Sequence, residues 1–319
     1  MSKPTPAAST PTTSLDSRIL PTATGAVKEA DRGTLEVVFE VKGDTIGPLQ
    51  GVALDPQGNV FVAQNRSGSD PRIYKFDPSG KLIASWGSKG AREGEFSLPP
   101  YAGGAGGVAT DTEGNVYVTD VGNARVQKFD NNGKFLAQWG SQGEGDGQFS
   151  DPFGIAVSKQ GFVYVSEYTH NLVQKFDTNG KFLSKWAQTS RAGGQPQQSG
   201  WLATDDEGNV YVPLYSQAAL EKFSPDGKLL AEFPNKPVNG KFVGLFAVAV
   251  DQAGNIYSTD ANSNRIIKYD KAGAVLAAWD KTTAKTQSFS NPTGVAVDAK
   301  GNIYVAENAG RRLQKLRQP

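Results

Sequence analysis

The chain has 319 residues, 38% apolar and 20% charged, enough to build a large core and unlike a disordered protein. Its net charge of +1 supplies no global field for nucleic acid or an anionic membrane. With no cysteine, disulfides, thiolate metal sites and thiol catalysis are excluded.

Residues 1–33 are largely Pro, Thr, Ser and Ala (SKPTPAASTPTTS), with too little apolar surface to offset the entropy of ordering. The plain expectation is a disordered leader; the sharper one is the tether of an exported or surface-anchored domain. No run of about 18 apolar residues and no apolar signal core follows Met1, so no transmembrane segment is expected, and an exported protein would be represented here in its mature form. Zero cysteine leaves the compartment open, and a location outside the cytoplasm is the expectation.

Residues 34–319 are expected to form one domain. Thr34–Gly43, TLEVVFEVKG, matches KLIASWGSKG at Lys81–Gly90, with Phe39 where Trp86 stands. At the other end the chain stops after RRLQKLR, a third strand with no fourth behind it. Leu35–Val41 is therefore expected to supply the missing outer strand of the last blade, leaving no open edge.

Between these ends one stretch returns six times, clearest as GVATDTEGNVYVTDVGNARVQKFDNNGKFLAQW at Gly107–Trp139. Alternating β-branched and aromatic residues, punctuated by Asp and Gly, give four short antiparallel strands per copy. Inner strands begin at Gly51, Gly107, Gly154, Trp201, Ala247 and Gly294, spaced by 56, 47, 47, 46 and 47 residues. The fold expected is all-β, a six-bladed β-propeller of four-stranded antiparallel blades. The longer first repeat places its extra residues in loops, between Gln64 and Arg72 and between Trp86 and Gly107.

The meander also sorts the faces. Inner-to-second and third-to-outer turns share one face, and D-x-x-G recurs there: Asp55/Gly58, Asp111/Gly114, Asp205/Gly208, Asp251/Gly254, Asp298/Gly301, then Asp77/Gly80, Asp130/Gly133, Asp177/Gly180 and Asp270/Gly273. Gly takes the left-handed position and Asp caps the turn. The opposite face holds every insertion and irregular copy, so a site is expected there.

The frame V-Y-V-x-D-x-x-N-x-R-V-Q-K-F-D at Val116–Asp130, with G-x-G-x-F-x-x-P-x-G-I-A-V at Gly145–Val157, resembles the NHL repeat; Gly94–Phe96 and Phe289–Val297 are partial copies. The resemblance covers residues 34–319 and implies a six-bladed propeller. For activity it implies only a range, since NHL propellers include protein- and RNA-binding modules, sensor domains and a zinc-dependent amidating lyase. The lyase uses several histidines, whereas this chain has His170 alone and no cysteine. Gluconolactonase-like propellers hold a divalent ion with axial Glu, Asn and Asp. Here the inner-strand acids Asp55, Asp111, Asp205, Asp251 and Asp298 each start a turn, which accounts for them.

Within the repeats, Asp120/Arg125, Asp260/Arg265 and Glu307/Arg312 recur as matched pairs, and the fourth copy has lost both members (Leu214/Ala219). Joint presence and joint loss read as a salt bridge. Glu167 faces Leu172 instead, making it the best carboxylate candidate for a role, with a solvated Glu as the plain alternative. His170, three residues on, reads most simply as a surface or capping residue. Trp86, Trp139, Trp186 and Trp279, with Phe39 and Phe233, hold equivalent outer-strand places and read as inter-blade packing. Lys75, Lys128, Lys175, Lys222 and Lys268 read as solvated or blade-edge charges.

The residues that lead into the inner strands at the loop face are Gln50, Gly106, Phe153, Gly200, Phe246 and Thr293. With Trp201 in place of the usual Gly, three successive blades bring Phe153, Trp201 and Phe246 to the channel mouth. Tyr168, Tyr215, Glu167 and His170 join them from adjoining loops. Two readings follow: a plug that fills the channel, or a pocket for an apolar or aromatic group with a positive charge or donor. The function expected is a non-enzymatic, monomeric binding module for a peptide, protein or small ligand. No catalytic residue, cofactor or metal is assigned, and nucleic acid is disfavoured. The alternatives are a metal-dependent propeller hydrolase or lyase using Glu167 and the axial carboxylates, and an RNA-binding propeller.

Overall fold

A computed structural model describes residues 35–42, 46–64, 70–97, 105–168, 170–188, 199–215, 219–233, 244–280, 282 and 288–318. Residues 1–33, most of the Gln64–Arg72 insertion and residues 98–104 of the second insertion lie outside that description.

Six four-stranded antiparallel sheets form the blades of a propeller. Blade one runs Leu49–Leu54, Val60–Gln64, Arg72–Phe76, Leu82–Trp86. Blade two runs Ala105–Thr110, Val116–Asp120, Arg125–Phe129, Phe135–Trp139. Blade three runs Pro152–Val157, Phe162–Glu167, Leu172–Asp177, Phe182–Ala187. Blade four runs Ala203–Thr204, Val210–Leu214, Ala219–Phe223, Leu229–Phe233. Blade five runs Leu245–Val250, Ile256–Asp260, Arg265–Tyr269, Val275–Trp279. Blade six is Pro292–Val297, Ile303–Glu307, Arg312–Arg317, and its outer strand is the N-terminal Glu36–Lys42. Inner strands touch around the ring, and blade six meets blade one.

Closure therefore works as the ends of the sequence require. Val37 pairs with Leu316 and Val41 with Leu313, with a bulge between Val37 and Phe39. The bulge exposes Val38 and turns Phe39 against Tyr304, ring centroids 6.3 Å apart. Phe39 also covers Gly80 in blade one, as Trp86, Trp139 and Trp186 cover Gly133, Gly180 and Gly227 of the blades that follow them. At φ +86° Gly133 takes a conformation unfavourable to other residues, and a Cβ there would lie 2.6 Å from the Trp86 ring. With Phe233 over Gly273, five of the six blades thus rest an outer-strand aromatic on the next blade's turn.

The uniform face is built from one hydrogen-bond unit. Asp111 Oδ1 accepts from the amides of Glu113 and Asn115, while Oδ2 accepts from Asn115 Nδ2 and the Tyr117 hydroxyl. Asp205, Asp251 and Asp298 take the same Asn and Tyr donors. The motif is thus D-x-x-G-N-x-Y, and its carboxylates are occupied within the turn.

One expectation is corrected here. The lysines of the third strands are not simply solvated. Lys75 and Lys175 are buried, Lys128 lies 5.2 Å above the Tyr117 ring, and Lys175 lies 3.9 Å above Phe162. Lys75, Lys128 and Lys175 donate to Asn131, Thr178 and Pro225 carbonyls in the next blade. Strand alternation does set them opposite the neighbouring Phe, but that side is covered by the adjacent blade, so the ammonium clamps two blades together.

Blade three lacks the acid of this unit. Ser158 stands in the Asp position and Phe162 in the Asn position, so the buried Tyr164 hydroxyl has only the Ser158 hydroxyl in place of a carboxylate. Replacing Ser158 by Asp gives Tyr164 a charged acceptor and strengthens the long 3.4 Å cap that Ser158 Oγ gives the Phe162 amide. The expected gain is about 0.5–1.5 kcal/mol, read as a higher urea midpoint at unchanged slope; an unchanged or lower midpoint counts against the unit.

Candidate functional site

The loop face is organised by the second strand's last residue. In blade two Asp120 is fully buried and accepts from Ser97 N, Asn123 Nδ2 and Arg125 Nε at 2.9, 2.8 and 2.8 Å. Asp260–Arg265 and Glu307–Arg312 repeat the pair at 2.8 and 2.5 Å. Each arginine is aimed by a left-handed residue before it, Ala124, Asn264 or Arg311. The salt bridges anticipated from joint presence are real and buried.

Blade three keeps this frame without the guanidinium. Glu167 is buried and accepts from Ser150 N at 2.9 Å and Gln174 Nε2 at 3.1 Å. Leu172 takes the arginine's place, and His170 approaches instead. His170 Nδ1 lies 3.6 Å from Asp151 Oδ1 and 3.9 Å from Glu167 Oε2, and its Nε2 lies 3.9 Å from Glu144 Oε1. Asp151 is buried, while His170 is exposed.

Blade four departs furthest, for a local reason. In blades two, three and five a hydroxyl on the second strand accepts the inner-strand amide: Thr119 from Gly107, Ser166 from Gly154, Thr259 from Ala247. Blade four has Pro213 at that place, with no hydroxyl. The Trp201 amide donates instead to the Phe246 carbonyl of blade five at 2.9 Å, and the inner strand shrinks to Ala203–Thr204. A glycine before it permits this approach, since a Cβ on Gly200 would collide with the same carbonyl.

The consequence is an aromatic cluster on one side of the ring. Trp201 stacks on Phe153 with centroids 4.3 Å apart and planes at 14°. Phe246 stands edge-on to both, at 5.8 Å from Trp201 and 6.1 Å from Phe153. Tyr168 lies 4.9 Å from Phe153, and Tyr215 lies 5.7 Å from Phe246 with its hydroxyl donating to Asn262 Oδ1. Burial raises the Tyr168 phenol above its ordinary range, helped by Tyr215 and Asp151.

All five aromatic residues singled out in the sequence thus meet, and Glu167 and His170 stand together beside Tyr168 in the chain. Phe153 and Trp201 are 7% and 6% exposed and form a floor; Tyr168, Tyr215 and Phe246 are half-buried above it. Trp201 Nε1 is buried and has no hydrogen-bond partner among the described residues. Asp151, Glu144 and Asn262 were missed by sequence reasoning. Asp151 alone carried a signal, being the acid before Pro152 where blade six has Asn291. A shallow depression of about 530 Å³, lined by Ala91, Arg92, Glu93, Glu95, Arg125 and Gln138, lies on blade two, away from the cluster.

The axial carboxylates do not join this site. Asp55, Asp111, Asp205, Asp251 and Asp298 end the inner strands at the uniform face, capping turns, while Glu167 is at the other end of its strand.

This is a six-bladed β-propeller with a uniform turn face and an irregular loop face. An NHL-repeat model matches residues 103–129 and 289–316. The human NHL repeat-containing protein 3 is 27% identical over 104 residues, which span 31% of this chain and only 28% of that protein. The chain thus carries NHL repeats within a six-bladed propeller and is similar to that protein over less than a third of either chain.

Solved structures share the fold at low identity. A streptogramin B lyase is 13% identical with a TM-score of 0.60, covering 90% of this chain and 98% of its own. Virginiamycin B lyase from Staphylococcus aureus is 14% identical with a TM-score of 0.58, over 87% of this chain and 98% of its own. A protein of unknown function from Bacteroides thetaiotaomicron is 14% identical with a TM-score of 0.65, over 90% and 74%. At these identities the likeness is one of fold. No helix among the described residues is long and apolar enough to cross a membrane.

Proposed function

We propose that the protein is a non-enzymatic binding module whose loop face, over blades three to five, takes an apolar or aromatic group of a peptide, protein or small ligand. One observation supports this reading above the others. Tyr168, Tyr215 and Phe246 stay half-buried over the stacked Phe153–Trp201 floor, while blades one, two and six put Gln50, Gly106 and Thr293 at the places of Phe153 and Phe246. Aromatic faces gathered on one side of the ring suit a planar or aliphatic group, and the carboxylates beside Tyr168 favour one carrying a positive charge. The spare indole N–H of Trp201 offers a donor to a ligand reaching the floor.

Because Trp201 is so deeply stacked, Trp201→Ala is expected to cost about 3–5 kcal/mol whatever the function, as for any buried Trp. The half-buried rings discriminate. Tyr168→Ala should leave stability within about 1 kcal/mol of the parent. Phenethylamine and uncharged 2-phenylethanol serve as probes, followed by Trp fluorescence with Trp201→Phe as reference. The amine should perturb Trp201 more strongly than the alcohol, and Tyr168→Ala should abolish the response. If neither probe perturbs Trp201 at saturating concentration, the aromatics are a plug.

A further inference from the structure

We propose that Asp151, Glu167 and His170 form a site for one divalent first-row metal ion, of the Mn²⁺ or Zn²⁺ kind, at the edge of the aromatic platform. Each of the three residues offers a ligand atom, and these atoms lie within 4.8 Å of one another. Metal–donor bonds of about 2.0–2.2 Å set neighbouring donors roughly 3 Å apart and opposite ones roughly 4.3 Å apart. The observed separations of 3.6 and 3.9 Å from His170 Nδ1 fall in that interval. Because the His170 side chain is 38% exposed, the imidazole has room to rotate towards the carboxylates.

A second observation comes from comparing blades. Asp120, Asp260 and Glu307 each face an arginine that balances a buried charge, and blade three alone keeps the acid, as Glu167, with Leu172 in the arginine's place. Glu167 retains neutral donors, Ser150 N and Gln174 Nε2, which fix its orientation without neutralising it. A carboxylate with 2% exposure in such a setting calls for a cation.

The surroundings match what a metal-bound histidine needs. With Nδ1 turned to the metal, Nε2–H points to Glu144, whose Oε1 lies 3.9 Å away, so a carboxylate holds the outer nitrogen and sets the tautomer. One imidazole with two carboxylates is a mixed nitrogen and oxygen set, which suits Mn²⁺ or Zn²⁺ better than Ca²⁺ or Mg²⁺. The proposal does not rest on the aromatic platform. The two meet in one respect: a bound metal and an amine ligand would compete for the same carboxylates.

The full chain, stripped with a chelator and desalted, is titrated with MnCl₂ and separately with ZnCl₂ by calorimetry. One saturable equivalent is expected, and His170→Ala and Asp151→Asn should each weaken it at least about tenfold. Glu144→Gln should weaken it less. Phe246→Ala should leave it unchanged, so that loss of the aromatic site and loss of the metal site are read separately. Melting curves of the metal-free variants check that each is folded; His170→Ala, at an exposed position, should match the parent. The proposal is overturned if no one-equivalent uptake occurs, or if uptake is the same in His170→Ala. It is also overturned if His170 acts only as an imidazolium in place of arginine, seen as acid-stabilised blade three with no metal uptake.

Discussion

Deleting residues 1–43 is expected to collapse the stability of the ring, while deleting residues 1–33 leaves it nearly unchanged. The longer deletion removes the whole outer strand of blade six and bares the edge of Arg312–Arg317. It also removes Leu35, which is fully buried, and Phe39, which seals blade six against Tyr304 and the Gly80 turn of blade one. Loss of a buried Leu costs about 2–5 kcal/mol and of a packed Phe about 3–5, so the sum is comparable to the whole stability of an ordinary domain. Arg312 and Gln314 lose Glu40, and Arg317 loses Glu36. Urea denaturation of both truncations reads the difference. A peptide of residues 34–43 added in trans should raise the melting temperature of the shorter chain by filling the vacant edge. Equal midpoints for the two truncations would show that the N-terminal strand does not close the ring.

Closure was legible in the sequence because it is a matter of counting strands. A third strand without a fourth, and a fourth without a blade, leave one economical solution. The turn acids and the Asp/Arg pairs were legible for a similar reason: each is local, and six copies in one chain supply their own comparison. What a neighbouring blade sets against a residue was not legible. Period-two alternation placed Lys75 opposite Phe76 but could not say that blade two covers that side, so a clamp read as a solvated charge. Glu144 escaped notice because it reaches His170 across a loop with no periodic signal, and Asp151 because its one counterpart in the repeat, Asn291 of blade six, does not point to a histidine. The shortened inner strand of blade four follows from Pro213, which stands where Thr119, Ser166 and Thr259 hold a hydroxyl. That substitution was visible in the repeat, but its meaning needed the hydrogen bond to the strand opposite. The gathering of Phe153, Trp201 and Phe246 was legible from strand starts alone; their stacking on one another was not.

Arg125→Ala should cost about 3–5 kcal/mol, the scale for breaking a buried ion pair, and not the 0.2–1 kcal/mol of an exposed one. The side chains of Arg125 and Asp120 are only 8% and 0% exposed, and the guanidinium does more than pair. Its Nη2 donates to the Arg92 and Glu95 carbonyls at 2.8 and 2.9 Å, and Nη1 donates to Gln138. Removing it leaves a buried carboxylate with neutral donors only and frees the 92–97 loop from the third strand. A double-mutant cycle with Asp120→Ala should give a coupling of roughly 1–3 kcal/mol, and no coupling would refute the pair. The pH dependence follows in sign. Burial already pushes the Asp120 carboxyl up, against the lowering by Asn123, Ser97 and Arg125. Without the arginine it moves further up, so the folded variant holds a proton at pH values where the unfolded chain, near about 3.9 for Asp, has lost it. The folded state then binds more protons, and the variant should regain stability as pH falls from neutral towards about 4. The reverse change in blade four supplies the control: Ala219→Arg places a guanidinium opposite Leu214 with no acid, and should gain no stability at any pH.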